Sequence, residues 1–198
     1  MTAPDFSISW PGRGRAAAPG ADGPVPRIEA LVTGDADRAD GAGFVAEGAV
    51  LVGDGARIAE AHDALAAHGL APCGAAQVVY LDPPYNRGGR FDAYHDNMPR
   101  HEWLDYIEAR LVVARDLLAE TGTVWVHLDD AEAHRVRCLL DEIFGADAFI
   151  ADLTVESNPK GRQLDRFFAG SHDRLMVYAR DPEQVRLAGG VASAVDPA

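Results

Sequence analysis

The sequence predicts an α/β protein built around a mostly parallel sheet. Three observations carry this expectation. Val78-Val79-Tyr80-Leu81 is a short apolar run that ends abruptly in Asp82-Pro83-Pro84. A run apolar on both faces suits a buried parallel strand, and proline, which offers no backbone donor, stops a central ladder. Upstream, Ala49-Val50-Leu51-Val52 is a second such run. Gly53-Asp54-Gly55 and an alanine-rich helical pattern over 57–68 follow it and lead back to Val78. Strand, helix and strand in that order predict a β-α-β unit with a right-handed crossover. Downstream, Leu104, Ile107, Leu111, Ala114 and Leu118 recur at helical spacing before a third apolar run, Thr123 to Leu128.

Taken in order, residues 1–45 are rich in Gly, Pro, Ala and Asp and read as a loose N-terminal arm. Phe6 to Arg13 interrupts it with a brief alternating apolar pattern, which suits either a tail packed on the domain or a functional segment. Residues 46–182 form the expected domain and 183–198 a flexible tail. Gly69 is placed to cap the first helix. The segment from Asn86 to Arg100 is polar and without period, a loop beside a strand end. A packing helix over 101–120 ends at Thr121-Gly122. Asp129-Asp130 suit the N-cap of a helix through Ile143, with Val136, Leu139, Leu140 and Ile143 facing inward. The runs 149–155 and 175–179 are expected as an antiparallel pair joined by a polar connection.

Composition sets outer limits. The chain has 198 residues, enough for one good core. Cys73 and Cys138 form neither a ligand-like spacing nor a disulfide framework, and the scattered histidines predict no metal site. No run is long and apolar enough to cross a bilayer and no signal-like start is present, so a cytoplasmic setting is expected. The formal net charge of −13 is awkward for a partner of nucleic acid, since phosphate contact wants a basic surface.

The chemistry centres on Asp82-Pro83-Pro84-Tyr85-Asn86, expected just past the carboxyl end of a strand, where open α/β sheets bind ligands. Two prolines lock the turn, so that the Asp82 carboxylate and the Pro83 carbonyl can face one point. Two converging acceptors suit an exocyclic amine, and Tyr85 offers a stacking face for a planar base. Such a corner can hold an extruded nucleobase with its amino nitrogen ready to attack an activated methyl group. The plain alternative is a proline-stopped loop at a sheet edge.

Asp-Pro-Pro-Tyr resembles the catalytic motif of the DNA amino-methyltransferases. The likeness extends through Asn86, Gly88 and Phe91, then Trp103-Leu104, Arg110-Leu111 and Ala114-Arg115 with Leu117-Leu118. It continues through Gly122 to Asp130, Asp141-Glu142-Ile143-Phe144-Gly145, Phe149-Ile150-Ala151 and Ser171 to Arg180. The order is similar to that of the β-class, as in the Mod subunits of Type III restriction-modification systems, over roughly residues 49–180. The resemblance implies part of a doubly wound, Rossmann-like methyltransferase sheet, with 46–182 a partial catalytic domain. It implies S-adenosylmethionine as cofactor and DNA as substrate, with adenine N6 favoured over cytosine N4 as the methylated amine. Asp82 and Pro83 would accept from the amine, Pro84 would shape the loop, Tyr85 would stack, and Asn86 would steady the loop.

Asp54, with Gly53 before it, matches an acid near the adenosine end of the cofactor; a helix N-cap is the other reading. Lys160 and Arg162, with Asn158 and Arg166, form the best DNA-facing candidate, or else a solvated loop. Arg87, Arg90 and Arg100 suit phosphate contact or simple solvation, and Arg87 stands where the family usually has a small hydroxyl residue. His127 is read as a structural histidine, with the cleft as its alternative. Phe168-Ala169-Gly170-Ser171 looks like the family's Phe-x-Gly-x-Gly loop, but His172 replaces the second glycine and a strand pattern follows. That loop is therefore expected to be missing, and Ala198 falls where target recognition would begin. The chain is expected to be a fragment, a half completed by a second polypeptide, or a non-catalytic relative that partners a helicase-nuclease restriction subunit.

Overall fold

The structure, a computed structural model, describes residues 9–11, 13, 27–32, 48–52, 65–67, 69, 73–87, 89–90, 95–157 and 171–187. In chain order these comprise β1 (Arg27–Val32), β2 (Gly48–Val52), β3 (Ala76–Leu81), β4 (Gly89–Arg90), β5 (His95–Asp96) and α1 (Arg100–Leu117). Then come β6 (Leu118–Leu128), α2 (Ala133–Phe144), a 3-10 turn (Ala146–Ala148), β7 (Phe149–Glu156) and β8 (His172–Ala179).

A four-stranded sheet of order β3-β6-β8-β7 forms the centre. Only β3 and β6 run parallel, Tyr80 facing Trp125; β6/β8 and β8/β7 are antiparallel. The fold is therefore α/β with a mixed sheet, and the expected antiparallel pair closes its C-terminal side. Side chains alternate across β6: Val124, Val126 and Leu128 point into the core with Met176 and Tyr178 of β8. Trp103, Leu104, Ile107 and Leu111 of α1 and Val136, Leu139 and Leu140 of α2 cover that face. Their spacing at three and four residues puts each set on one side of its helix.

The opposite face is partly bare, which corrects the expectation that β3 is a buried central strand. Among the described residues β3 has one neighbour, β6. Val78 is 58% exposed and Tyr80 52%, while Val79 and Leu81 pack against the core. The β3 run is apolar on both faces, but among the described residues the packed helices α1 and α2 lie on one face.

Other boundaries move for local reasons. β2 does not join β3 in the central sheet; it pairs antiparallel with β1, Leu31 facing Ala49. The expected β-α-β unit is thus not formed by the described residues, and part of the stretch read as a loose arm is strand. Of the helix read over 57–68, only Leu65 and Ala66 are described as helical; Gly69 follows with φ 79° and donates to the Ala66 carbonyl at 3.0 Å. Trp10 is buried and donates from its indole to Asp105 at 2.8 Å, while Arg13 reaches Glu108 at 2.8 Å and Glu142 at 2.6 Å. The Phe6-to-Arg13 pattern is therefore tied to both helices through its C-terminal part.

α1 ends at Leu117 rather than at Glu120, because Leu118 turns extended (φ −70°, ψ 135°) and begins β6 at once. Register slips between Ala76, facing Leu118, and Val78, facing Thr123. Gly122 sits in that slip, where a Cβ would lie 2.5 Å from the Ala76 carbonyl oxygen and 2.9 Å from Leu118 Cδ2. The close approach leaves room for no larger residue. α2 starts at Ala133 with Glu132 at the N-cap position and no side-chain cap, so Asp129-Asp130 do not cap it. Asp129 instead accepts from the Ala131 N–H at 2.9 Å and fixes the turn ahead of the helix.

The two faces differ in what a truncation costs. Leu111→Ala, at a fully buried position, is expected to lower unfolding free energy by roughly 2–5 kcal/mol. Val78→Ala, on the bare face, should change it by less than about 0.5 kcal/mol. Urea titration of both variants checks this, and equal losses would mean the sheet is covered on both sides.

Candidate active site

Asp82-Pro83-Pro84-Tyr85-Asn86 turns off the carboxyl end of β3 as the proline stop requires, and is held from below at two points. The indole of Trp103, in the first turns of α1 and fully buried, donates to the Pro84 carbonyl at 2.8 Å. A buried indole N–H needs an acceptor, and here the acceptor is the corner itself. Asn86 takes a left-handed conformation, φ 58°, which asparagine tolerates better than most residues. Its Oδ1 accepts from the Met98 N–H at 2.9 Å, fastening the far side of the corner to the chain just before α1. Between them the short antiparallel ladder of β4 and β5 folds back, Gly89 facing Asp96.

With the backbone pinned, Asp82 is exposed and Tyr85 half-buried. The carboxylate thus faces outward, and the tyrosine ring is not sealed in the core. Burial pushes the Tyr85 phenol well above the ordinary range, with the Asp82 and Asp173 charges and a hydrogen bond to Asp82 adding to it. Tyr85 therefore stays a neutral ring at neutral pH.

Around the ring lie groups from three further elements. The His127 ring of β6 stands 6.2 Å from that of Tyr85, centroid to centroid, at 58°. Its Nδ1 is 2.8 Å from the Tyr80 hydroxyl and its Nε2 is 3.7 Å from Asp173 Oδ2 of β8. The Arg87 guanidinium lies 5.7 Å from the Tyr85 centroid, hydrogen-bonds Asp129, and comes within 4.0 Å of Asp173 Oδ1. Arg87, weighed for phosphate, is thus turned onto two buried acids. Arg100 bonds Glu132 at 3.0 Å, which also receives Arg135 at 2.8 Å.

The structure gathers Asp82, Pro83, Pro84, Tyr85 and Asn86 into one corner. Gly53, Asp54, Lys160 and Arg162 lie outside the described residues, as do Asn158, Arg166 and most of the approach to β8. Sequence reasoning passed over Trp103, read as packing, although a tryptophan in the first turn after a diproline corner was the available signal. It also passed over Asp173, an acid two residues from Leu175, the residue that faces His127 in the β6–β8 register.

Fold and corner together define an α/β protein with an Asp-Pro-Pro-Tyr turn at a strand's carboxyl end. Residues 76–191, more than half of the chain, match the DNA methylase family N6_N4_Mtase, and the chain belongs to that family. It is 34% identical over 110 residues to the Type II methyltransferase M.KpnI of Klebsiella pneumoniae, a match covering 51% of this chain and 26% of that protein. It is 32% identical over 135 residues to the probable Type III restriction-modification enzyme HindVI Mod subunit of Haemophilus influenzae, covering 66% of this chain and 18% of that one. Among solved structures, the PvuII DNA methyltransferase (cytosine-N4-specific) overlaps with a TM-score of 0.44 at 16% identity, over 66% of this chain and 48% of that one. The chain spans about a quarter or less of the length of the curated relatives named.

The family implies S-adenosylmethionine as methyl donor. The described residues do not assemble a cradle for it: β2, which leads to Gly53 and Asp54, pairs away from the central sheet. What they assemble is the Asp82–Asn86 corner with Trp103 and Met98 fastening it. No described helix is long and apolar enough to cross a membrane.

Two measurements probe this geometry. Trp103→Phe keeps a buried ring but leaves the Pro84 carbonyl without its donor, and is expected to cost about 1–3 kcal/mol in urea unfolding. In alkaline titration followed by phenolate absorbance, Tyr85 should stay protonated through the range near pH 10 where free tyrosine ionises. Tyr85→Phe should therefore remove no amplitude there.

Proposed function

We propose that this chain carries the amine-binding half of an S-adenosylmethionine-dependent DNA methyltransferase, acting on adenine N6. The observation that supports it is the pinned corner, with Asp82 exposed at the end of β3 beside the half-buried Tyr85. Asp82 and the Pro83 carbonyl accept from the two N–H bonds of the amine. That draws the nitrogen lone pair out of conjugation with the ring. Pro84 and Asn86 keep the acceptors in place, the first through Trp103 and the second through Met98. Tyr85 lies against the extruded base. A carboxylate carried on a backbone corner that is already fastened needs less ordering on binding, which is where positioning gains most. Lys160 and Arg162 are assigned to the DNA backbone, and Gly53 with Asp54 to the adenosine end of the methyl donor.

The bare face of the sheet favours a second reading of the same chain, as a half completed by another polypeptide. Val78, Tyr80 and Leu153, at 58%, 52% and 43% exposure, lie on it. In restriction-modification systems of the Mod type that polypeptide, or a restriction subunit, is the proposed partner. On either reading the chain alone is expected to transfer tritiated methyl groups from S-adenosylmethionine to DNA at or near background.

Amine recognition can be tested without turnover. By NMR titration, deoxyadenosine should bind in preference to purine deoxyriboside, which lacks the exocyclic amine. Asp82→Ala should erase the preference, a loss on the order of tenfold or more, as for a hydrogen bond to a charged group. Equal binding of the two nucleosides by the wild type would remove the amine from the account.

A further inference from the structure

We propose that His127 and Asp173 form a positioning pair beneath the Asp82–Asn86 corner. Asp173 fixes the His127 proton on Nε2, and the ring so fixed holds Tyr85 where a base would stack; the inference rests on the corner being a base site.

Three strands bring the pair together on the bare side of the sheet. Tyr80 faces Trp125 in the β3–β6 register and His127 faces Leu175 in the β6–β8 register. Residues two apart on a strand share a face, so Tyr80, His127 and Asp173 all project from that one side. The hydroxyl of Tyr80 sits 2.8 Å from His127 Nδ1 and can either donate or accept there. The other nitrogen decides the matter. His127 Nε2 is buried and makes no hydrogen bond, and the carboxylate of Asp173 stands 3.7 Å away.

A carboxylate only accepts, so a buried Nε2 turned toward it is stable when it carries the proton. Nδ1 then accepts from Tyr80, and both ring nitrogens are oriented. A separation of 3.7 Å is longer than a formed hydrogen bond, as is common at sites that tighten when occupied. Asp173 itself is buried, and Arg87, 4.0 Å from its other oxygen, already serves Asp129. His127 thus meets one oxygen of the Asp173 carboxylate while Arg87 meets the other, and its ring stands 6.2 Å from that of Tyr85. Among the described residues, the groups facing His127 are thus Tyr80 from β3, Tyr85 from the corner and Asp173 from β8. His127 is a positioning residue: it acts on the base through Tyr85 and touches no reacting atom.

The test is proton–nitrogen correlation NMR on the full 198-residue chain. It reads which nitrogen of His127 is protonated, with the Tyr85 ring resonances reporting position and deoxyadenosine as the ligand. The wild type is expected to show the Nε2–H tautomer, and Asp173→Asn to reduce its share and shift the Tyr85 resonances. His127→Leu should shift them likewise and weaken deoxyadenosine about tenfold, the order of one base–aromatic stack. His127→Gln, whose amide N–H can stand near the former Nε2–H, should keep both near wild type, which a loss of folding would not allow. An Nδ1–H tautomer in the wild type, or Tyr85 resonances unmoved in both Asp173→Asn and His127→Leu, overturns the proposal. If the tautomer and the Tyr85 shifts appear but the wild type binds no deoxyadenosine, the pair stands and the base-site reading falls.

Discussion

The hydrogen bond from the Trp103 indole to the Pro84 carbonyl is the contact on which the rest of the site depends. Prolines fix φ but do not fix where a turn points, because the turn can still swing about the last residue of its strand. Trp103 removes that freedom by joining the corner to a helix whose own position is set by the buried residues of the core. The carboxylate at 82 and the ring at 85 therefore inherit the rigidity of the helix layer. Asn86 performs the same office on the other flank through Met98. A loop so fastened behaves as an extension of the fold.

Much of this was legible in the chain, for identifiable reasons. The proline stop after Leu81 located the corner, since proline has so few places to go in a sheet. Helical spacing found α1 and α2 to within a few residues, and the polar gap before His172 correctly separated an antiparallel pair. Family membership followed from one motif supported by ordered segments over the remaining length. The errors share a cause. The Val78 run gave both faces of β3 as apolar, and sequence alone does not say whether the neighbours that would cover them are present. The β2 run likewise said strand without saying with whom, and its partner proved to be a segment whose composition suggested no strand at all. Asp129 illustrates a smaller case: an acid before a helix is a cap by habit, but here it closes a turn and meets Arg87 instead.

The ion pairs around the corner also bear on the acidity of the chain. Arg87, Arg100 and Arg135 each approach a buried carboxylate, whether Asp129, Asp173 or Glu132. A buried acid left without a cation is costly, so these arginines are committed to the fold to a degree that a count of charges hides. Their role in holding the turns after β3 and β6 is structural, and any contact with phosphate would have to compete with it.

The margin of β3, unpaired among the described residues, has a colloidal consequence. A strand with one described neighbour and with valine and tyrosine bare beside it is a template for any other strand that arrives, including one from a second copy. The excess of negative charge keeps copies apart at long range, over the Debye length of roughly 10 Å in 0.1 M salt. Added electrolyte shrinks that barrier while leaving the apolar attraction in place. Storage in dilute buffer, rather than at high salt, is the condition that favours a dispersed preparation.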